Sequence, residues 1–159
     1  MMPQNHENTK LHQKKYIPIS EELDIMGKKI VDAAYTVHKN LGPGLLEKVY
    51  VPIKNFLNLI HQIVEILNRD CHELAKRGLK YLHQIDIPVV YDGITFEEGL
   101  RLDVLVEDSI ICEIKAVDLV NPVWEAQVLS HMKLTNKRLG YLINFNVVNI
   151  GQGIKRFVL

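Results

Sequence analysis

Three of the four charged residues in two otherwise apolar runs could do chemistry together: Asp103, Glu113 and Lys115. They lie on two runs, Leu100 to Val106 and Ile110 to Val117, joined by Glu107-Asp108-Ser109. With a three-residue loop, Val106 pairs with Ile110, Leu105 with Ile111, Asp103 with Glu113 and Arg101 with Lys115. Residues directly opposite in an antiparallel pair share a face, about 5 Å apart. Strand side chains alternate, so Glu113 and Lys115 share that face too. The opposite face, made of Leu102, Val104, Val106, Cys112, Ile114 and Ala116, is wholly apolar and is expected to be core. A two-residue loop would instead put Asp103 and Glu113 on opposite faces and remove the constellation.

Two carboxylates this close repel each other unless a positive charge sits between them. A divalent cation with hard oxygen ligands fits, and magnesium commonly takes only one or two carboxylates together with water and phosphate oxygens. A neighbouring lysine then holds the nucleophilic water or stabilises pentacovalent charge. Acid-Xaa-lysine is the spacing of metal-assisted phosphodiester hydrolysis. The competing reading is an ordinary cross-strand ion pair on an exposed strand face. Spacing alone does not separate the two.

The elements that position these residues follow from periodicity. Ser20 is a helix N-cap, with Glu21 and Glu22 at the positive end of the macrodipole. Leu23, Met26, Ile30, Ala33, Ala34, Val37 and Leu41 then form one apolar helix face, closed by Asn40, Gly42 and Pro43. A short helix is expected at residues 44–50, and one long helix or two from Ile53 to Arg77, ended by Gly78. Tyr81 to Val90, with Pro88 inside, reads as an edge strand, and Asp92-Gly93 as a hairpin turn. After the two runs above, Asn121-Pro122 opens a helix to about Leu134. Arg138 to Phe145 and Ile154 to Leu159 are the last strands. This order predicts an α/β (α+β) fold with a central mixed sheet of about four to five strands flanked by helices. Residues 1–19 are expected to be a flexible tail and residues 20–159 a single domain.

Several blocks resemble a known family. Gly44-Leu-Leu-Glu-Lys-Val-Tyr50 is similar to the signature of the GxxExxY protein family, a branch of the PD-(D/E)xK nuclease superfamily. So are Val37 to Gly44, Arg101-Leu102-Asp103, Glu113-Ile114-Lys115-Ala116-Val117, Glu125-Ala126-Gln127, Asn144-Phe145 and Gly153 to Arg156, in the family's order. The resemblance covers roughly residues 20–157 and implies a restriction-endonuclease-like core. It implies that Asp103, Glu113 and Glu47 hold a metal ion, Mg2+ or Mn2+. It makes Lys115 the motif lysine and Gln127 a polar group facing the site from the next helix. His38 and Tyr50 are packed residues in the first instance, with support of the site as the alternative. Two features depart from the family. His131 stands where relatives carry a tyrosine, and Val51 to about Asn68 is an added helical segment.

Composition bounds the rest. The chain has 159 residues, with 19 lysines and arginines against 19 aspartates and glutamates, so a uniformly basic coat is excluded. Its acids concentrate between Tyr81 and Glu125, whereas Ala126 onward holds none but carries Lys133, Lys137, Arg138, Lys155 and Arg156. That basic segment is either a phosphate-binding rim or ordinary solvated surface. Val49 to Leu67 is interrupted by Lys54, Asn55, Asn58, His61, Gln62 and Glu65, so it is not expected to span a membrane. Cys71 and Cys112 have no metal-site spacing and are too few for a disulfide framework. Without a signal peptide, the expectation is a reducing, cytoplasmic setting.

The expected activity is a divalent-metal-dependent nuclease whose partner is nucleic acid, DNA first and RNA second. The alternative is a non-catalytic module that binds protein or nucleic acid and keeps the nuclease fold. Residues 51–77 are the candidate surface for a homodimer or protein partner. A structure-specific resolvase is a third reading and requires a dimer.

Overall fold

The structure, a computed structural model, describes residues 17–41 and 70–159. Glu47, Tyr50, the 44–50 helix and the whole 51–68 segment therefore lie outside the described residues, as does the Val49 to Leu67 stretch. Among the described residues no helix is long and apolar enough to cross a membrane.

Helix α1 runs Glu21–Leu41. The backbone N–H of Leu23 donates to Ser20 Oγ at 3.2 Å, the expected cap. Ile30, Ala33, Ala34 and Val37 are buried on its inner face. Helix α2 is described over 70–76. Gly78, at φ +70°, closes it: the Gly78 N–H donates to Ala75 O and the Leu79 N–H to Leu74 O. Arg77 ties α2 to α1, donating to Thr36 Oγ1 at 2.8 Å and to Glu73 Oε2 at 2.5 Å.

Five strands form one mixed sheet in the order β1-β2-β3-β4-β5. They are β1 Tyr81–Tyr91, β2 Ile94–Val106, β3 Ile110–Lys115, β4 Leu139–Asn144 and β5 Ile154–Val158. Only β3 and β4 are parallel, and α3, Pro122–Leu134, crosses between them. Asn121 caps α3 by accepting from the Val123 N–H at 3.0 Å. A four-residue helix, α4 Ile150–Gly153, precedes β5; Asn149 caps it. That short turn is absent from the periodic pattern, because four residues are too few to show one.

The edge position of β1 and its irregularity at Pro88 agree with the sequence, since register shifts between Ile87 and Val89. Asp92 and Gly93 both take positive φ, making the two-residue hairpin between Tyr91 and Ile94. Strand β2 consequently begins at Ile94, six residues earlier than the apolar run suggests. At the next turn Glu107 and Asp108 are left-handed and the Ser109 N–H donates to Val106 O, giving the three-residue loop.

One expectation about faces is corrected. Leu102 does not lie with Val104 and Val106; it packs with Leu105, Ile111, Val128, Met132 and Leu142 on the α3 side. Pairing of β1 with β2 passes from His83↔Val104 to Ile85↔Leu102 across Gln84, which stands at φ +50°. The left-handed residue turns the strand about its axis, so the inside-outside alternation reverses at Gln84 and at its neighbour Asp103. Val104, Val106, Cys112, Ile114 and Ala116 do face the larger core under α1 and α2.

On the α3 side the approach is close. A Cβ on Gly140 would lie 2.6 Å from Met132 Sδ, so glycine at this point of β4 lets the helix sit on the strand.

Candidate active site

Asp103, Glu113 and Lys115 meet where β2 and β3 part. The ladder pairs Val106↔Ile110, Leu105↔Ile111 and Val104↔Cys112, as the three-residue loop requires, and stops there. It does not continue to Asp103↔Glu113 or Arg101↔Lys115. Instead the Asp103 side chain enters the gap, and its Oδ2 accepts from the Ile114 N–H at 2.8 Å. Arg101 turns to the other neighbour and donates to Gln84 Oε1.

Glu113 is only 2% exposed, on the central strand of the sheet. Its Oε1 accepts from Lys115 Nζ at 2.5 Å, and the same ammonium lies 3.9 Å from Asp103 Oδ2. Lys115 also stands over the Trp124 ring, 5.7 Å from the centroid. Burial pushes the Glu113 carboxyl above its ordinary pKa, and the Asp103 charge adds to that shift. The Lys115 ammonium pulls the other way, so the lysine contact does not fully offset the loss of water.

His131, on α3, brings a fourth group. Its Nδ1 is 3.8 Å from Glu113 Oε2, beyond hydrogen-bond reach, and among the described residues neither atom has a hydrogen-bond partner. Burial lowers the His131 pKa, while Asp103 opposes that shift and Lys115 reinforces it. Gln127 sits one turn before His131 on the same helix and is partly buried. Among the described residues, the hydrogen bonds of Asp103, Glu113 and Lys115 do not include it. His38 lies elsewhere, on α1, where its Nε2 is 2.7 Å from Val147 O.

A residue whose role the sequence does not announce holds the end of β3. Asn144, 1% exposed, is paired in register with Lys115. Its Oδ1 accepts from the N–H groups of Val117 and Asn146, and its Nδ2 donates to Val117 O at 2.8 Å. The Phe145 N–H donates to Lys115 O. The backbone carrying Lys115 is thus fixed from β4. The signals for this in the sequence are an amide that ends an otherwise apolar strand and the Asn144-Phe145 block of the family resemblance.

Three of the bases of the C-terminal segment pair with acids of the fold. Lys137 pairs with Asp108, Lys155 with Glu125 and Arg156 with Asp24. Arg138 donates to the carbonyls of Ile17, Pro18 and Leu159.

The donor set suits a divalent ion. Glu113 Oε2 is a buried carboxylate oxygen without a partner beside a second carboxylate, and a hard cation satisfies both. Among the described residues no three His, Cys, Asp or Glu side chains form a ready-made metal cage. Two carboxylates meet the need of magnesium, which brings its own waters.

A family model described as the PD-(D/E)XK nuclease superfamily matches residues 24–58 and 63–157. No curated protein and no solved structure matches the chain.

Proposed function

The chain belongs to the PD-(D/E)XK nuclease superfamily, and from that premise we propose that it is a metal-dependent nuclease hydrolysing phosphodiester bonds of DNA, with RNA as the second candidate. The reading is carried by Glu113, a buried carboxylate with one oxygen on Lys115 and the other free. Asp103 and Glu113 would hold the ion, Mg2+ or Mn2+. Glu47 is proposed as a third acid, and Gln127 as a group that orients substrate or water. A bound ion supplies Lewis acidity and a water of lowered pKa. Lys115, steered by Glu113 and the Trp124 face, places its charge where the phosphoryl group becomes more negative. Asp103 is held by the Ile114 N–H, which leaves Oδ1 for the ion. The motif at residues 44–50 supports assignment to the GxxExxY branch.

The test is cleavage of single-stranded, duplex and branched DNA and of RNA, with Mg2+ or Mn2+. Glu113→Gln is expected to lower the rate about a hundredfold or more while the protein stays folded. Cleavage that survives this change or survives chelation sinks the reading. The internal pairing of the C-terminal bases favours one alternative, a module that relies on a dimer or protein partner through residues 51–77 for its grip on nucleic acid. A folded protein that cleaves none of these substrates, yet still binds one or captures a partner, selects it.

A further inference from the structure

Among the described residues, four buried side-chain polar atoms lack any hydrogen-bond partner. Two belong to Asp70, and the others are Glu113 Oε2 and His131 Nδ1. The latter two face each other across 3.8 Å from different elements, β3 and α3. A buried polar atom left unpaired costs about 1–3 kcal/mol. Two such atoms turned toward one another mark a place that a third body satisfies at once.

We propose that His131 is a ligand of the divalent ion, its Nδ1 completing with Glu113 Oε2 a mixed nitrogen–oxygen site that shifts preference from magnesium toward manganese and cobalt. The inference rests on the proposed metal-dependent reading and deepens it. Ligand atoms at about 2.0–2.2 Å from a common ion stand roughly 3–3.5 Å apart, so the observed gap needs to close by about 0.3–0.8 Å. Carboxylate and water suit magnesium, whereas imidazole suits the later first-row metals. The family's tyrosine at this position offers a hydroxyl; His131 offers a nitrogen lone pair from the same helix face. The remaining positions of the shell fall to Asp103, water and phosphate oxygens.

The experiment uses tag-free full-length protein and the metals alone. Pulsed electron paramagnetic resonance of the Mn2+-loaded wild type is expected to show coupling to an imidazole nitrogen, absent in His131→Tyr. Calorimetry should show His131→Tyr losing about tenfold or more in Mn2+ and Co2+ affinity, with a smaller change for Mg2+. His131→Gln serves as the second variant in case tyrosine is not accommodated. Mn2+ bound without nitrogen coupling, and lost in Glu113→Gln, overturns the role of His131 and leaves the metal site standing. A wild type that binds none of the three ions overturns both.

Discussion

Two buried carboxyls lie on opposite sides of the sheet, and they differ in company rather than in burial. Asp70, on α2, belongs to the α1 side, among Cys71, Leu74 and Cys112. Glu113 belongs to the α3 side, beside a small cluster of Leu102, Leu105, Ile111, Val128, Met132 and Leu142. Both carboxyls are raised in pKa by loss of water. Glu113 keeps a lysine at 2.5 Å, a second carboxylate and an imidazole nearby. Among the described residues, Arg77 works against the burial of Asp70, Glu73 opposes that help, and neither Asp70 oxygen has a hydrogen bond. Burial, with the Asp70 charge adding to it, pushes the Cys71 thiol up to about 12. A buried acid becomes chemically useful when cations and polar donors converge on it; a merely desolvated one is a cost to the fold.

The sharpest separation is in activity. Glu113→Gln should abolish cleavage, whereas Asp70→Asn should leave the cleavage rate unchanged; equal losses in both would erase the contrast. Stability should then show the reverse emphasis. Burial carries Asp70 from 3.8 to about 7, above its unfolded-state value. Its stabilising share is therefore complete below about pH 4, declines as pH rises and is gone above pH 7. Asp70→Asn should gain up to about 4 kcal/mol over wild type at pH 8 and nothing near pH 4. Denaturant titrations at both pH values measure this, and a difference that does not change with pH contradicts it.

A smaller effect is expected from the clamp behind Lys115. Asn144→Ala leaves the Val117 N–H and C=O without partners. That should cost about 2 kcal/mol and slow cleavage by loosening the lysine's backbone. Unchanged cleavage with lowered stability would restrict Asn144 to folding. The smallest effect belongs to the surface. Lys155→Ala removes an exposed pair with Glu125 and should change stability by less than about 1 kcal/mol. If it weakens nucleic-acid binding strongly, the C-terminal bases grip phosphate despite their internal pairs.

Much of the frame was legible along the chain because local signals were strong. Ser20 and Asn121 are side-chain caps, Asp92-Gly93 is a turn with a steric requirement, and Pro88 breaks a ladder. Asp103, Glu113 and Lys115 were legible as a set because they stand in two apolar runs joined by a three-residue loop, but the direct pairing of Asp103 with Glu113 is not made: the ladder stops at Val104↔Cys112 and Asp103 reaches the site through the Ile114 N–H. The side of Leu102 was not, since alternation holds only while φ stays extended, and nothing in the residue type of Gln84 announces a left-handed backbone. The pairing of the C-terminal bases was not legible for another reason: Asp24 and Glu125 are remote in sequence from Arg156 and Lys155, so a linear charge map does not show these ion pairs.

The sequence by itself determined the element order and the acid-Xaa-lysine strand, because each depends on neighbours within a few residues, and that order implies the mixed sheet, since strands joined by a crossover helix pair in parallel. Only the tertiary structure decided that β2 parts from β3 at Asp103, that Asn144 fixes the strand behind Lys115, and that His131 faces Glu113. Those are relations between elements brought together by burial of two apolar sheet faces, and no local period encodes them.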